Sequence, residues 1–189
     1  FVYHGSRNGL AGSPAWIGES NQYGAIFGFS VGTAGDVNGD GYDDVVVGAP
    51  LYDVGLTQNA GRVYVYHGSS SGLGTVPVLT IDGTQTDGWF GYSVAGGDLT
   101  DDGYSDLVVG ERLYDGAAGA DTGRAVFYRG SAAGIVPVAR WITEGDQAGA
   151  WFGSGVAVVA SRPKAPPRKT KMMMITQNRW FNAQVTPRT

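Results

Sequence analysis

Short β-branched apolar runs, bounded by glycine, aspartate and asparagine, recur along this chain. No stretch carries a sustained helical period of apolar residues. Val45-Val46-Val47-Gly48 and Leu107-Val108-Val109-Gly110 read as buried strands, each ended by glycine. Aligning the chain on them exposes a unit of 62 or 63 residues. Phe27-Gly28-Phe29-Ser30-Val31 returns as Phe90-Gly91-Tyr92-Ser93-Val94 and again as Phe152-Gly153-Ser154-Gly155-Val156. Val2-Tyr3-His4-Gly5-Ser6 returns as Val65-Tyr66-His67-Gly68-Ser69 and Phe127-Tyr128-Arg129-Gly130-Ser131. Self-similarity at a fixed period is the mark of a repeat architecture.

Each unit predicts four short strands. In the first full unit they run from Phe27 to Thr33, from Asp44 to Val47, from Arg62 to His67 and from Val76 to Ile81. Glycine supplies 32 of 189 residues, which suits many tight turns. Four strands per unit, repeated radially, predict an all-β fold: a partial β-propeller of four-stranded blades. The period is too long for WD40 or kelch units. The division expected is a partial unit at 1–26, full units at 27–89 and 90–151, and the start of another at 152–160. A partial ring leaves sheet faces open, and a few blades alone are marginal in stability.

The chemistry lies between the first two strands of each unit. Asp36-Val37-Asn38-Gly39-Asp40-Gly41-Tyr42-Asp43-Asp44 recurs as Asp98-Leu99-Thr100-Asp101-Asp102-Gly103-Tyr104-Ser105-Asp106. Side-chain oxygens fall at positions 1, 3, 5 and 9, glycine permits a reversal at 6, and the carbonyl of position 7 adds another oxygen. The candidate ligands are therefore Asp36, Asn38, Asp40, Tyr42 and Asp44, and then Asp98, Thr100, Asp102, Tyr104 and Asp106. The ion implied is Ca2+. An EF-hand is excluded, because position 12 is Val47 or Val109 where a bidentate Glu is needed, and a strand follows instead of a helix. The plainer reading is a pair of solvated Asx turns. Against it, three carboxylates converging in a turn repel by roughly 1 kcal/mol per pair even at water-like dielectric. Thr100 is a weaker ligand than Asn38, and Asp43 and Asp101 fall on outward positions.

Phe27-Gly28, Gly48-Ala49-Pro50 and the aspartate loop between them resemble the FG-GAP repeats of integrin α-subunit propellers. The second unit keeps Phe90-Gly91 but has Gly110-Glu111-Arg112 where Gly-Ala-Pro would stand. The resemblance covers about residues 1–160. It implies a calcium-stabilised propeller, usually extracellular, with a role in adhesion or ligand binding. A ring of about seven blades is usual, so the chain reads as a fragment whose other partners include the remaining blades.

Composition breaks near Ala160. Residues 1–160 hold 6 Arg and no Lys against 17 acids, whereas 161–189 hold 7 basic residues and no acid. A polybasic arm for nucleic acid or anionic lipid is one reading of 161–189. A shifted reading frame explains more. Met172-Met173-Met174 requires ATGATGATG, which two bases out of phase contains GAT-GAT, an Asp-Asp run suited to an acidic repeat. Residues 161–189 are therefore assigned no function and are expected to be disordered or poorly packed. No nucleic-acid partner is expected, and no apolar stretch is long enough to span a membrane. The chain has no Cys and no Asn-x-Ser/Thr glycosylation site, which leans toward a prokaryotic surface or secreted protein. Weak calcium loops, with Kd on the order of 0.1–1 mM, would fill only outside the cytosol.

No catalytic constellation is expected. His4 and His67 share one repeat position, which the third copy gives to Arg129, so a strand-end polar residue is the better reading. Trp89 and Trp151 precede the Phe-Gly pairs and suit the core or a blade interface better than sugar stacking. Two functional classes stay open: a binding module contacting a protein or glycan, and an accessory propeller of a secreted phospholipase or glycan-degrading enzyme.

Overall fold

The computed structural model describes residues 1–159 and, as backbone alone, 172–176. Among these residues there is no helix. The first complete sheet is an antiparallel meander of β3 (Ser30–Gly35), β4 (Asp44–Ala49), β5 (Arg62–Tyr66) and β6 (Leu79–Asp82); a hairpin of β1 (Gly5–Ser6) and β2 (Gly9–Leu10) precedes it. The second sheet repeats that order with β7 (Phe90–Gly97), β8 (Asp106–Glu111), β9 (Arg124–Tyr128) and β10 (Trp141–Glu144). Then β11 (Gly155–Val159) pairs with β12 (Met172–Thr176). Two four-stranded antiparallel sheets built on the same repeat form a partial β-propeller.

The central strands carry the packing. Val63 to Tyr66 are all buried, as are all six residues of β8. A strand buried on both faces belongs between layers. One apolar cluster joins the sheets: Val46, Val63, Val65 and Ile81 from the first meet Phe90, Leu107, Val109 and Val126 from the second. Trp16, Ala25, Val47, Tyr64 and Tyr66 form a cluster on the other face of the first sheet, where the ring of Trp16 meets Tyr66 edge-on. Val108, Ala125 and Phe127 continue the stack toward Phe152, Val156 and Val158.

Close backbone approach sets the spacing between sheets. A Cβ at Gly48 would drive into the Gly91 carbonyl oxygen, and one at Gly110 into that of Gly153. The glycine of each second signature is thus the point where one blade's second strand touches the next blade's Phe-Gly turn. The expected strand from Phe27 begins later, at Ser30, because Ile26 and Gly28 have left-handed φ of 53° and 86° and Phe29 N–H closes a turn on Ile26 O. The fourth strand also begins later than expected, at Leu79, after Pro77, which has no amide proton to offer a ladder. The third ends at Tyr66, one residue early.

Residues 161–189 were expected to lie off the pattern. Met172–Thr176 nonetheless supply a strand, pairing Gly155 with Thr176 as Ser30 pairs with Gly48. The other residues of that segment lie outside those described, and so does the expectation of disorder for them.

Candidate metal centres

The acidic loops occupy the same place in both sheets, joining β3 to β4 and β7 to β8. Their winding follows from carboxylates accepting backbone N–H groups. Asp36 Oδ1 accepts from Gly39 and Asp40 at 2.7 and 3.0 Å, and its Oδ2 accepts from Gly41 at 2.8 Å. Asp98 does the same for Asp101, Asp102 and Gly103. Position 4 needs a left-handed residue, and it is Gly39 in one loop and Asp101, at φ 62°, in the other.

Position 9 closes the loop from beneath. Asp44, fully buried, accepts Val37 N–H at 2.8 Å on Oδ2 and Gly68 N–H at 2.9 Å on Oδ1. Asp106, also fully buried, accepts Leu99 and Thr100 N–H on Oδ2 and Gly130 N–H on Oδ1. These carboxylates tie the loop to the second residue after the third strand. Burial pushes the Asp44 carboxyl above its usual range, against the pull of its two amides.

Position 5 faces solvent. Asp40 Oδ1 accepts Tyr42 N–H and its Oδ2 accepts the Asn38 side-chain amide at 2.9 Å. Asn38, chiefly, and Tyr42 hold Asp40 below its usual range. Asp102 Oδ1 likewise accepts Tyr104 N–H, but Oδ2 accepts Arg129 Nη2 at 2.7 Å and Nε at 3.1 Å. The Tyr104 amide first, then Arg129, hold Asp102 low. The corresponding contact in the first loop is His67 Nδ1, 3.3 Å from Asn38 Nδ2.

The two loops also touch each other. Ser105 N–H donates to Asp36 O at 2.8 Å, and a Cβ at Gly39 would strike the Tyr104 ring. Asp43 and Asp101 are exposed, as their even positions predicted.

Among the described residues, no three Asp, Glu or His side chains are gathered as a metal cluster, because the loop carboxylates are turned onto amides. The first loop still offers the donor chemistry a hard divalent cation takes: oxygen only, from Asp36, Asn38, Asp40, Asp44 and the Tyr42 carbonyl. A carboxylate has about four lone-pair sites, so accepting amides leaves further acceptor capacity.

Sequence alone gives His67 and Arg129 only a strand-end polar role, whereas the structure brings both onto the loops. The signal was their shared repeat position. Also missed was what replaces the second unit's Gly-Ala-Pro. Glu111, fully buried, pairs with Arg124, whereas in the first unit the matching Arg62 pairs with Asp82. Arg112 lies over the rings of Trp151, Tyr92 and Trp89 at 4.4, 5.0 and 5.7 Å, so both tryptophans do sit at a blade interface.

The model of the FG-GAP repeat family matches residues 27–66 and 90–128. Integrin alpha-6 of Gallus gallus is 47% identical over 88 residues, covering 46% of this chain and 8% of that protein. Integrin alpha-8 of Mus musculus is 41% identical over 121 residues, covering 60% of this chain and 11% of that protein. Integrin alpha pat-2 of Caenorhabditis briggsae is 40% identical over 114 residues, covering 58% and 9%. The chain thus spans about a tenth of the length of these relatives. It carries two FG-GAP repeats and is integrin-α-like across them.

Proposed function

We propose that the chain is part of an extracellular propeller that binds a protein or glycan ligand, in the manner of an adhesion module, and that calcium in its acidic loops stiffens the blades. The observation that carries this reading is the first loop. Its five oxygen donors lie between β3 and β4, and β4 is buried along nearly its whole length, so a bound ion would act on the alignment of whole sheets. Asp36 would wrap the turn, Asp40 and Asn38 would close it from the solvent side, and Asp44 would anchor it to Gly68. Calcium supplies only charge neutralisation and cross-linking there. The residues orient the sheets and leave the loops of the opposite edge, including the exposed Tyr23 and Leu56, in fixed relation.

Likeness to integrin α-subunits supports the ligand-binding half, and no described constellation favours the accessory-propeller alternative. The test is thermal unfolding of the chain in EDTA and in millimolar Ca2+. Binding to the folded state alone adds about 1.4 kcal/mol per site at tenfold excess over Kd. Asp40→Ala, which removes a charged ligand, should weaken calcium more than Asn38→Ala. No calcium-dependent rise in melting temperature would refute the reading.

A further inference from the structure

The two loops match in sequence spacing but differ in what faces the solvent-side aspartate. In the first loop, Asp40 has a neutral partner, the Asn38 amide. In the second, Asp102 holds a guanidinium through two N–H groups on one carboxylate oxygen. Thr100 stands where the first loop has its amide ligand Asn38.

We propose that Arg129 is the resident cation of the second loop: it occupies the approach to Asp102 that a divalent ion would need, so the second loop is metal-independent and only the first takes calcium. This rests on the calcium reading of the first loop and revises the expectation that both loops bind. Three observations lead to it. Arg129 follows the third strand of its unit as His67 does in the first, so the fold aims this side chain at the loop in both units. An arginine is charged at every physiological pH and cannot retreat by losing its proton. Asp98 and Asp106 accept six N–H groups of the loop and the third-strand end, much as Asp36 and Asp44 accept five, so the loops differ chiefly at the solvent-side aspartate that Arg129 holds. Asp102 is the ligand with the freest approach, and Arg129 covers it.

The charge matters more than the strength of the ion pair. The Arg129–Asp102 pair is half exposed, so it adds little to folding. For an incoming divalent ion, a fixed unit positive charge about 5–6 Å away weakens binding by about tenfold even at water-like dielectric. Losing the Asp102 oxygen adds to that. The structural role of the loop survives, because Asp98 and Asp106 wind and anchor it through amides without help from a metal.

The test titrates Ca2+ alone into the EDTA-treated full chain by calorimetry, with thermal unfolding in parallel. Wild type is expected to take one equivalent. Arg129→Gln, and Arg129→His, which installs the first unit's residue, should each take two, and Arg129→Gln with Asp102→Asn should return to one. His67→Arg should weaken the first site about tenfold. If Arg129→Gln lowers the melting temperature in EDTA, calcium should restore it in that variant, an effect a purely structural arginine would not show. Two equivalents of similar affinity in wild type would overturn the inference while leaving the calcium reading intact, and a single equivalent in both Arg129 variants would do the same. No calcium in any variant would overturn the calcium reading and this inference with it.

Discussion

Asp44 decides whether the acidic loops are built by a metal or merely occupied by one. Its carboxylate is fully buried and accepts Val37 N–H at 2.8 Å and Gly68 N–H at 2.9 Å. Hydrogen bonds to a charged group contribute about 1.5–3 kcal/mol each, and an amide left unpaired in a buried site costs about 1–3 kcal/mol. Burial works the other way, raising the carboxyl above its usual range, and relief of that desolvation offsets part of the loss. Asp44→Ala should therefore destabilise by about 3 kcal/mol, measured by urea unfolding in EDTA. Asp44→Asn should lose a similar amount despite its shape, because its NH2 must face one of the two N–H groups. In a chain of this size about 3 kcal/mol corresponds to a fall of about 6–12 °C in melting temperature. If Asp44 acted only as a calcium ligand, both variants would be neutral without calcium. A loss below about 1 kcal/mol in EDTA would refute the account of Asp44 as a hydrogen-bonded anchor of the loop.

The same logic of buried partners yields further expectations. Glu111→Ala should cost less than the roughly 3–5 kcal/mol typical of breaking a buried pair, because Glu144 stands opposite Arg124 in the register that Asp82 holds opposite Arg62 and can take the arginine over; Glu111→Ala combined with Glu144→Ala should lose more than the sum, as read by urea unfolding. Burial pushes the Glu111 carboxyl above its usual range, so the folded state holds its proton to higher pH than the unfolded state does. Its contribution is complete below about pH 4.3, where the unfolded residue is protonated, and is lost as pH rises through the folded value; Glu111→Gln should flatten that fall in urea titrations across mildly acidic pH. Gly48→Ala should destabilise by several kcal/mol, about 3 or more, because the added methyl meets the Gly91 carbonyl and the sheets must part; a neutral result would show that the blades can slide.

The repeat, the strands and the positions of both loops were legible because they depend on local pattern: self-similarity at a fixed period, β-branched runs, and turn residues at fixed offsets. Strand starts were read early by about three residues where a positive-φ turn at Ile26 or a proline at Pro77 delays the ladder, and neither effect shows in hydrophobicity. The side-chain choices were not legible. That Arg124 abandons the register partner used by Arg62 for Glu111 follows from a single substitution, Ala49 to Glu111 across the repeat, and only the pairing of β8 with β9 brings the two together. The same substitution explains the lost signature. Where the first unit has Pro50, the second has Arg112, whose charge is accommodated among Trp89, Tyr92 and Trp151. Arg62 makes a comparable contact with Tyr52 at 4.0 Å.

These exchanges share one physical pattern, in which a unit that loses a contact regains it from a neighbouring position without moving the backbone. The registers of β4 with β5 and of β8 with β9 are the same pair for pair, Val46 with Val65 as Val108 with Phe127, although the charges around them have been rearranged. The backbone can stay fixed because the tight contacts are glycine to carbonyl, between Gly48 and Gly91 and between Gly110 and Gly153, and involve no exchangeable side chain. Side chains near the strand ends are then free to vary in charge. On that view Arg129 in place of His67 is the same kind of exchange made at a loop, and it carries a functional consequence because the partner it acquires is an oxygen that a cation would otherwise use.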